Sequence, residues 1–191
     1  LIDAGRMVAH VGVSRMKLRV KGKEFFAIQL GGVATSPEAR GQGYMRRLLG
    51  GVLRRYAETP VFLFANDSVS DFYPKFGFSA ARTMRPVARL SIDNPFEPER
   101  CTPDAAAPLA GKRRFPSAVF DVLDCRELRC FHLFGGYADR LLRLGPGLAV
   151  AAEQCGDTLL LHELLCGRPV DWETLAARLP FRNIRRVEFG F

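Results

Sequence analysis

Residues 31–49, GGVATSPEARGQGYMRRLL, decide the fold: an apolar strand runs into a glycine-containing turn and then into a basic amphipathic helix. Gly41 and Gly43 let the backbone bend and approach a ligand closely, and the N–H groups that open the next helix have no partner within it. The helix dipole favours an anion at that end, and Arg40, Arg46 and Arg47 put full positive charges around it. Taken alone, these residues admit two readings. One is a phosphate-holding turn; the other is an ordinary strand-to-helix connection with a solvated arginine collar.

A second stretch bears on the choice. Residues 62–78, FLFANDSVSDFYPKFGF, read as a buried strand, a short helix and a new strand beginning at Gly77. Together the two stretches resemble the GNAT superfamily of acyl-CoA-dependent N-acetyltransferases. Its signature Arg/Gln-x-x-Gly-x-Gly/Ala matches Arg40-Gly41-Gln42-Gly43-Tyr44-Met45 except at the last place, and its pattern of Asn, Tyr and Gly-Phe matches Asn66, Tyr73, Gly77 and Phe78. Met45 departs from the small residue most of the family keeps there. A bulky residue at that place, with the V-A-T-x-P-x-x-R and Y-M-R wording around it, is similar to the enhanced-intracellular-survival branch.

The resemblance implies acetyl-CoA as co-substrate and a primary amine of a small molecule or protein as acceptor. It implies that Val33, Ala34 and Thr35 lie along the pantetheine arm, on a strand that carries a bulge and splays from its neighbour. It further implies that Arg40, Gly41, Gln42, Gly43, Tyr44, Met45 and Arg46 hold the phosphates, with Asn66 and Ser68 completing the cofactor contacts. Tyr73 stands where the superfamily keeps its general acid. No base stands out: His10 and Glu24 lie on suitable strands and water could serve. In the enhanced-intracellular-survival type the terminal carboxylate is used, here Phe191 if that is the true end.

Composition agrees with a core-forming protein. The 191 residues are 48% apolar, which is enough for one compact domain or two small ones. No apolar run is long enough to span a bilayer, and the first residues lack the blocks of a signal peptide. The chain opens at Leu1-Ile2-Asp3, which reads as mid-strand, so the family's first elements are expected to lie upstream. Five cysteines, Cys101, Cys125, Cys130, Cys155 and Cys166, have neither paired spacing nor a histidine cluster beside them. They read as reduced cytoplasmic thiols, with no metal site.

Charge divides the chain. Residues 1–92 carry fifteen Lys/Arg against six Asp/Glu, and residues 93–191 carry thirteen against fourteen. The basic half is the half with the glycine turn, which suits a highly anionic cofactor and would equally suit nucleic acid. A nucleic-acid-binding module would use the ladder Arg15, Lys17, Arg19, Lys21 and Lys23, an alternation that a solvent-facing strand also produces. A catalytically inactive acyl-CoA-binding sensor is the other rival to an enzyme.

In chain order, residues 6–19 and 24–34 read as two strands joined by a hairpin turn at Lys21-Gly22-Lys23, with Gly31-Gly32 marking a bulge. Met45, Leu48, Leu49, Val52, Leu53 and Tyr56 form one apolar helical stripe. Val61 to Ala65 follows as a strand, Asp67 or Ser68 caps a short helix, and a further strand runs from Gly77 toward Leu90. The expected organisation is an α/β, GNAT-like mixed-sheet domain over 1–92, a Pro- and Ala-rich linker over 93–111, and a smaller mixed domain over 112–191. In that last part Phe115 to Leu123 reads as a strand and Arg126 to Leu144 as mostly helix. A hairpin turns at Gly156-Asp157, Asp171 caps the helix Trp172–Leu179, and Arg185–Phe191 is a final strand. This order suggests a degenerate GNAT-like copy that has lost its glycine turn and binds no coenzyme A; a sterol-carrier-like appendage is the alternative. Its role would be to shape the acceptor pocket or a homo-oligomer interface.

Overall fold

The computed structural model describes residues 1–110 and 119–190. Its first long hairpin pairs β3 (Ala9–Val20) with β4 (Lys23–Thr35) through a turn in which both Lys21 (φ 48°) and Gly22 (φ 79°) are left-handed. Two consecutive positive φ values give the twist that strands in a two-residue hairpin need. Before it, β1 (Ile2–Asp3) and β2 (Arg6–Met7) make a small antiparallel pair. After it come α1 (Tyr44–Arg55), β5 (Val61–Leu63) and a 3₁₀ segment over Asp67–Phe76.

The chain divides into two units, the described part of the first being residues 1–81 and 119–124. Its main sheet has the order β5-β4-β3-β8, where β8 is Phe120–Asp124. β5 runs parallel to β4, and β8 is antiparallel to β3 with Lys17 opposite Asp124 and Val20 opposite Phe120. The apolar stripe of α1 covers the sheet: Leu49 is fully buried with Ile28 and Leu30, and Met45, Val52, Leu53 and Tyr56 pack around them. Truncating Leu49 to Ala would open a cavity at this contact and cost about 2–5 kcal/mol.

The second unit, residues 82–110 and 125–190 as described, is built on a six-stranded sheet. Its strands are β6 (Val87–Ala88), β7 (Glu99–Arg100), β9 (Leu141–Gly145), β10 (Leu148–Cys155), β11 (Thr158–Cys166) and β12 (Arg186–Phe189), in the order β6-β12-β11-β10-β9-β7. Both faces are covered. Leu148, Val150 and Ala152 point into one core with Leu175 and Leu179, next to α4 (Trp172–Ala176). Ala149 and Ala151 point into the other core, with Ala106 and Ala110 of α2 (Pro103–Ala110) and Leu133 of α3 (Arg126–Phe134). The continuous apolar run of β10 follows from this, because a strand covered on both sides has no solvent face to alternate toward.

Several expectations change. Residues 93–110, read as part of a linker, hold β7 and α2. Alanine is the strongest helix former, Pro103 sits in the first turn, and the Thr102 hydroxyl accepts from the Ala105 N–H at 3.3 Å. The small side chains let α2 lie close to the sheet, with Ala106 fully buried. The strand expected from Gly77 toward Leu90 is reduced to Val87–Ala88, which pairs with β12 in the second unit. The helix expected to reach Leu144 stops at Phe134, where Gly135 and Gly136 close it, and β9 begins at Leu141. The hairpin at Gly156-Asp157 and the Asp171-capped helix are present, the helix ending at Ala176. Of the strand expected over Phe115–Leu123, residues 115–118 lie outside the described residues, as does Phe191.

Candidate active site

Strand β4 outlasts its neighbour. It pairs with β5 only from Ile28 opposite Val61 to Leu30 opposite Leu63, and then continues through Thr35 with β3 alone beside it. Five residues, roughly 17 Å of strand, therefore present an edge that no other strand among the described residues pairs. β5 leaves because Asn66 starts the 3₁₀ segment, its side-chain oxygen accepting from the Ser68 N–H at 3.1 Å and the Ser68 hydroxyl at 3.0 Å. The cap is thus Asn66, one residue before Asp67 and two before Ser68, the two expected.

The expected bulge lies in this open stretch. His10 is opposite Ala34 but Gly12 is opposite Gly31, so Gly32 and Val33 together face Val11. Gly32 takes the left-handed conformation, φ 56°, that a bulge of this kind asks of its glycine. Past the bulge, the Ser36 N–H donates to Val8 O at 3.0 Å. Strand alternation then turns Ala34 toward β3 and directs the N–H groups of Val33 and Thr35 to the open side.

The same strand delivers the chain to the glycine turn. Pro37–Ala39 form one 3₁₀ turn with Ala39 buried, and Arg40 is extended. Gly41 (φ 76°) and Gly43 (φ 78°) are both left-handed, and Gly43 is the N-cap of α1. The first bond of the helix is Arg47 N–H to Gly43 O at 3.0 Å, which leaves the N–H groups of Tyr44, Met45 and Arg46 pointing out of its end. A methyl group built on Gly41 or Gly43 would meet nothing within 4 Å, so open space lies beside both. The first turn holds no acidic residue, and Arg40, Arg46 and Arg47 are exposed around it. Arginines at this end oppose the helix dipole, by about 0.3–1 kcal/mol each. Gln42 Nε2 braces the turn on Glu38 O at 2.9 Å. Tyr44 reaches away from it: its hydroxyl donates to Asp3 Oδ2 at 2.5 Å, and that bond raises the phenol's pKa.

Tyr73 lies on the 3₁₀ segment, buried edge-on against Phe72 (5.4 Å) and Phe78 (6.0 Å), with 8% of its surface exposed. Among the described residues its hydroxyl has no hydrogen-bond partner. Asn66 and Ser68 are exposed, and Asn66 spends its oxygen on the cap. The two base candidates part company. His10 sits at the bulge, its Nδ1 2.8 Å from Gly32 O. Glu24 is eleven residues before Thr35 on β4, roughly 36 Å away along the strand. There it binds Lys17 (2.7 Å) and Arg19 (2.6 Å), hydrogen bonds that lower its carboxyl pKa. Arg15 stacks 3.5 Å over the Phe26 ring, so three members of the basic ladder are engaged within the hairpin. A cavity of about 180 Å³ lined by Tyr56, Val61, Phe76 and Phe78 opens at the far end of α1 from Gly43. Among the described residues no group of His, Cys, Asp and Glu side chains could hold a metal, and no helix is long and apolar enough to cross a membrane.

Residues 1–81 match the family model for the acetyltransferase (GNAT) domain. The fold is similar to solved structures of Eis1 from Mycobacterium abscessus (TM-score 0.58, 16% identity, 100% of this chain and 55% of that one) and of a GCN5-related N-acetyltransferase from Kribbella flavida (0.50, 16%, 98% and 51%). It is also similar to a probable N-acyltransferase from Enterococcus faecalis V583 (0.55, 13%, 95% and 51%). At these identities the likeness establishes the mixed α/β, GNAT-like fold, and the chain spans about half the length of the structures it matches. No curated protein matches the sequence.

Proposed function

We propose that residues 1–81 bind acetyl-CoA and transfer its acetyl group to a primary amine of a small molecule or protein. The observation that carries this reading is the succession, along one stretch of chain, of an open strand edge and a left-handed glycine turn at a helix start. The open edge of β4 leads, through the single 3₁₀ turn Pro37–Ala39, to the left-handed glycine turn and the N–H groups that open α1. A long ligand with phosphates at one end and an amide-bearing arm at the other fits that order. Gly41 to Arg46 would hold its phosphates, and Val33 and Thr35 would pair with the arm.

The chemistry asks three things of the chain. The amine must be neutral to attack, the carbonyl oxygen must be held as it gains charge, and the departing sulfur needs a proton. The Val33 N–H would hold the oxygen. A new C–N bond forms as the C–S bond breaks, the amine's proton leaves to solvent, and the Tyr73 hydroxyl gives its proton to sulfur. Glu24 has no part, being at the far end of the hairpin. The second unit would serve as an accessory domain that binds no coenzyme A.

The test is thiol release from acetyl-CoA across a panel of primary amines, aminoglycosides and peptides, with CoA affinity measured by calorimetry. CoA binding with acceptor-dependent thiol release is the expected result. CoA binding without thiol release for any acceptor would leave the sensor reading standing, and absence of CoA binding would remove both.

A further inference from the structure

The imidazole of His10 occupies space that missing side chains leave. A methyl on Gly32 would come within 3.3 Å of its Cε1 and Nδ1, and one on Gly12 would stand 3.6 Å from Cε1 and only 2.8 Å from Gly31 O. In that cradle Nδ1 lies 2.8 Å from Gly32 O. A carbonyl oxygen only accepts, so Nδ1 carries the proton and donates.

Gly32 C=O and Val33 N–H belong to one planar trans peptide, in which the two bonds point in opposite directions. Holding the carbonyl on the His10 side therefore aims the Val33 N–H away from the ring. Strand alternation counted back from Ser36 independently places the same N–H on the open edge of β4. A bulge is the one place in the strand where ladder bonds do not fix this peptide, and Gly32, lacking a side chain, gives it extra freedom to rotate.

We infer that His10 is a positioning residue of the acyl-transfer site: its Nδ1–H bond to Gly32 O locks the bulge peptide so that the Val33 N–H faces the reacting carbonyl oxygen. The inference rests on the proposed acetyl transfer and adds a residue to it. The hydrogen bond also polarises the peptide, which makes its N–H a better donor.

The full chain tests this with three substitutions. Asn places its amide nitrogen where Nδ1 stands, Gln places it nearer Nε2, and Leu donates nothing. His10→Leu and His10→Gln should lower kcat by about tenfold to a hundredfold, the scale of a misplaced catalytic group, while CoA affinity by calorimetry stays within about twofold. His10→Asn should keep kcat near wild type. In the wild-type protein, imidazole ¹⁵N shifts should report a proton on Nδ1. Asn as damaging as Gln would mean that Nε2 acts as a base and would overturn the positioning role, as would equal kcat in all variants or the opposite tautomer. Where His10→Leu does not fold, the Asn and Gln pair still decides. A wild-type protein that binds CoA but releases no thiol defeats the transfer reaction itself, an outcome separate from an active wild type indifferent to His10.

Discussion

The starts of α1 and α4 meet one physical need in opposite ways. Every helix opens with N–H groups that lack partners inside it. At α4 the chain supplies them: Asp171 accepts from the Thr174 N–H at 2.7 Å and from the Thr174 hydroxyl at 2.9 Å, and Glu173 adds negative charge in the first turn. At α1 the N-cap is a left-handed glycine with no side chain to offer, and the first turn carries Arg46 and Arg47 with no acid. A helix start that sets aside each local preference at once is stabilised by something outside the helix or stays weak. Under the proposed function, α4 is closed because it serves packing, and α1 is open because an anionic ligand completes it.

The largest expected effect contrasts the two units at their tyrosines. Tyr73→Phe should lower turnover by roughly two to four orders of magnitude while leaving CoA affinity unchanged, as removal of a positioned proton donor does. Tyr137→Phe, in the second unit, should leave turnover as it is. Burial raises the pKa of the Tyr137 phenol, with the Glu163 charge adding to the effect, but under the proposal nothing is transferred there. Steady-state kinetics with a good acceptor amine reads both variants. Equal rates for wild type and Tyr73→Phe would make Tyr73 a packing residue.

Next in size is the placing of an acid at the open start. Gly43→Asp would put a carboxylate beside the start of α1, and no atom within 4 Å obstructs its first carbon. The expected damage to the protein's own packing is therefore small, apart from the strain of a left-handed aspartate, about 1–2 kcal/mol. CoA affinity should fall by about a hundredfold or more, some 2.7 kcal/mol, through repulsion of phosphate. Calorimetry reads the affinity and circular dichroism the fold. Undiminished affinity would show that the two helix starts do not differ in purpose.

The smallest effect lies at the closed start itself. The bond from the Thr174 N–H, and then that from its hydroxyl, hold the Asp171 carboxyl below its ordinary value of 3.8. A carboxyl depressed in the folded state stabilises the fold above its unfolded pKa and loses that contribution as pH falls through the lower, folded value. Asp171→Ala should lower the thermal midpoint by about a few degrees near neutrality, the usual worth of an N-cap in a small domain. The gap from wild type should close as pH is taken below 3.8. A gap independent of pH would mean that the cap acts through shape and not through charge.

Much of the first unit is legible in the chain because its signals are local. The Lys21-Gly22 turn, the bulge glycine, the left-handed pair Gly41 and Gly43 and the stripe of α1 each depend on φ preferences or on spacing within a few turns. His10 illustrates the limit. Its type and strand can be read, but its bond to Gly32 depends on the one-residue register shift between β3 and β4, which neither strand encodes alone. Glu24 sits on the right strand as well, and only distance along that strand removes it from the site. The Ala- and Pro-rich segment before Gly111 misleads for a related reason. Its small residues resemble a linker until a sheet face is there for Ala106 and Ala110 to pack against.

What the sequence determined by itself is therefore the left-handed glycine turn, the amphipathic helix behind it and the hairpin in front. In each, the covalent freedom of glycine or the period of apolar side chains acts over neighbouring residues. The tertiary structure alone decided the partners: β8 joins β3 across about a hundred residues of chain, Val87–Ala88 goes to β12, and β5 abandons β4 after Leu63. Backbone N–H and C=O groups are chemically the same on every strand, so they do not distinguish one edge from another. The choice falls to whichever pairing buries the most apolar surface once the loops are closed, a property of the assembled core that no single stretch carries.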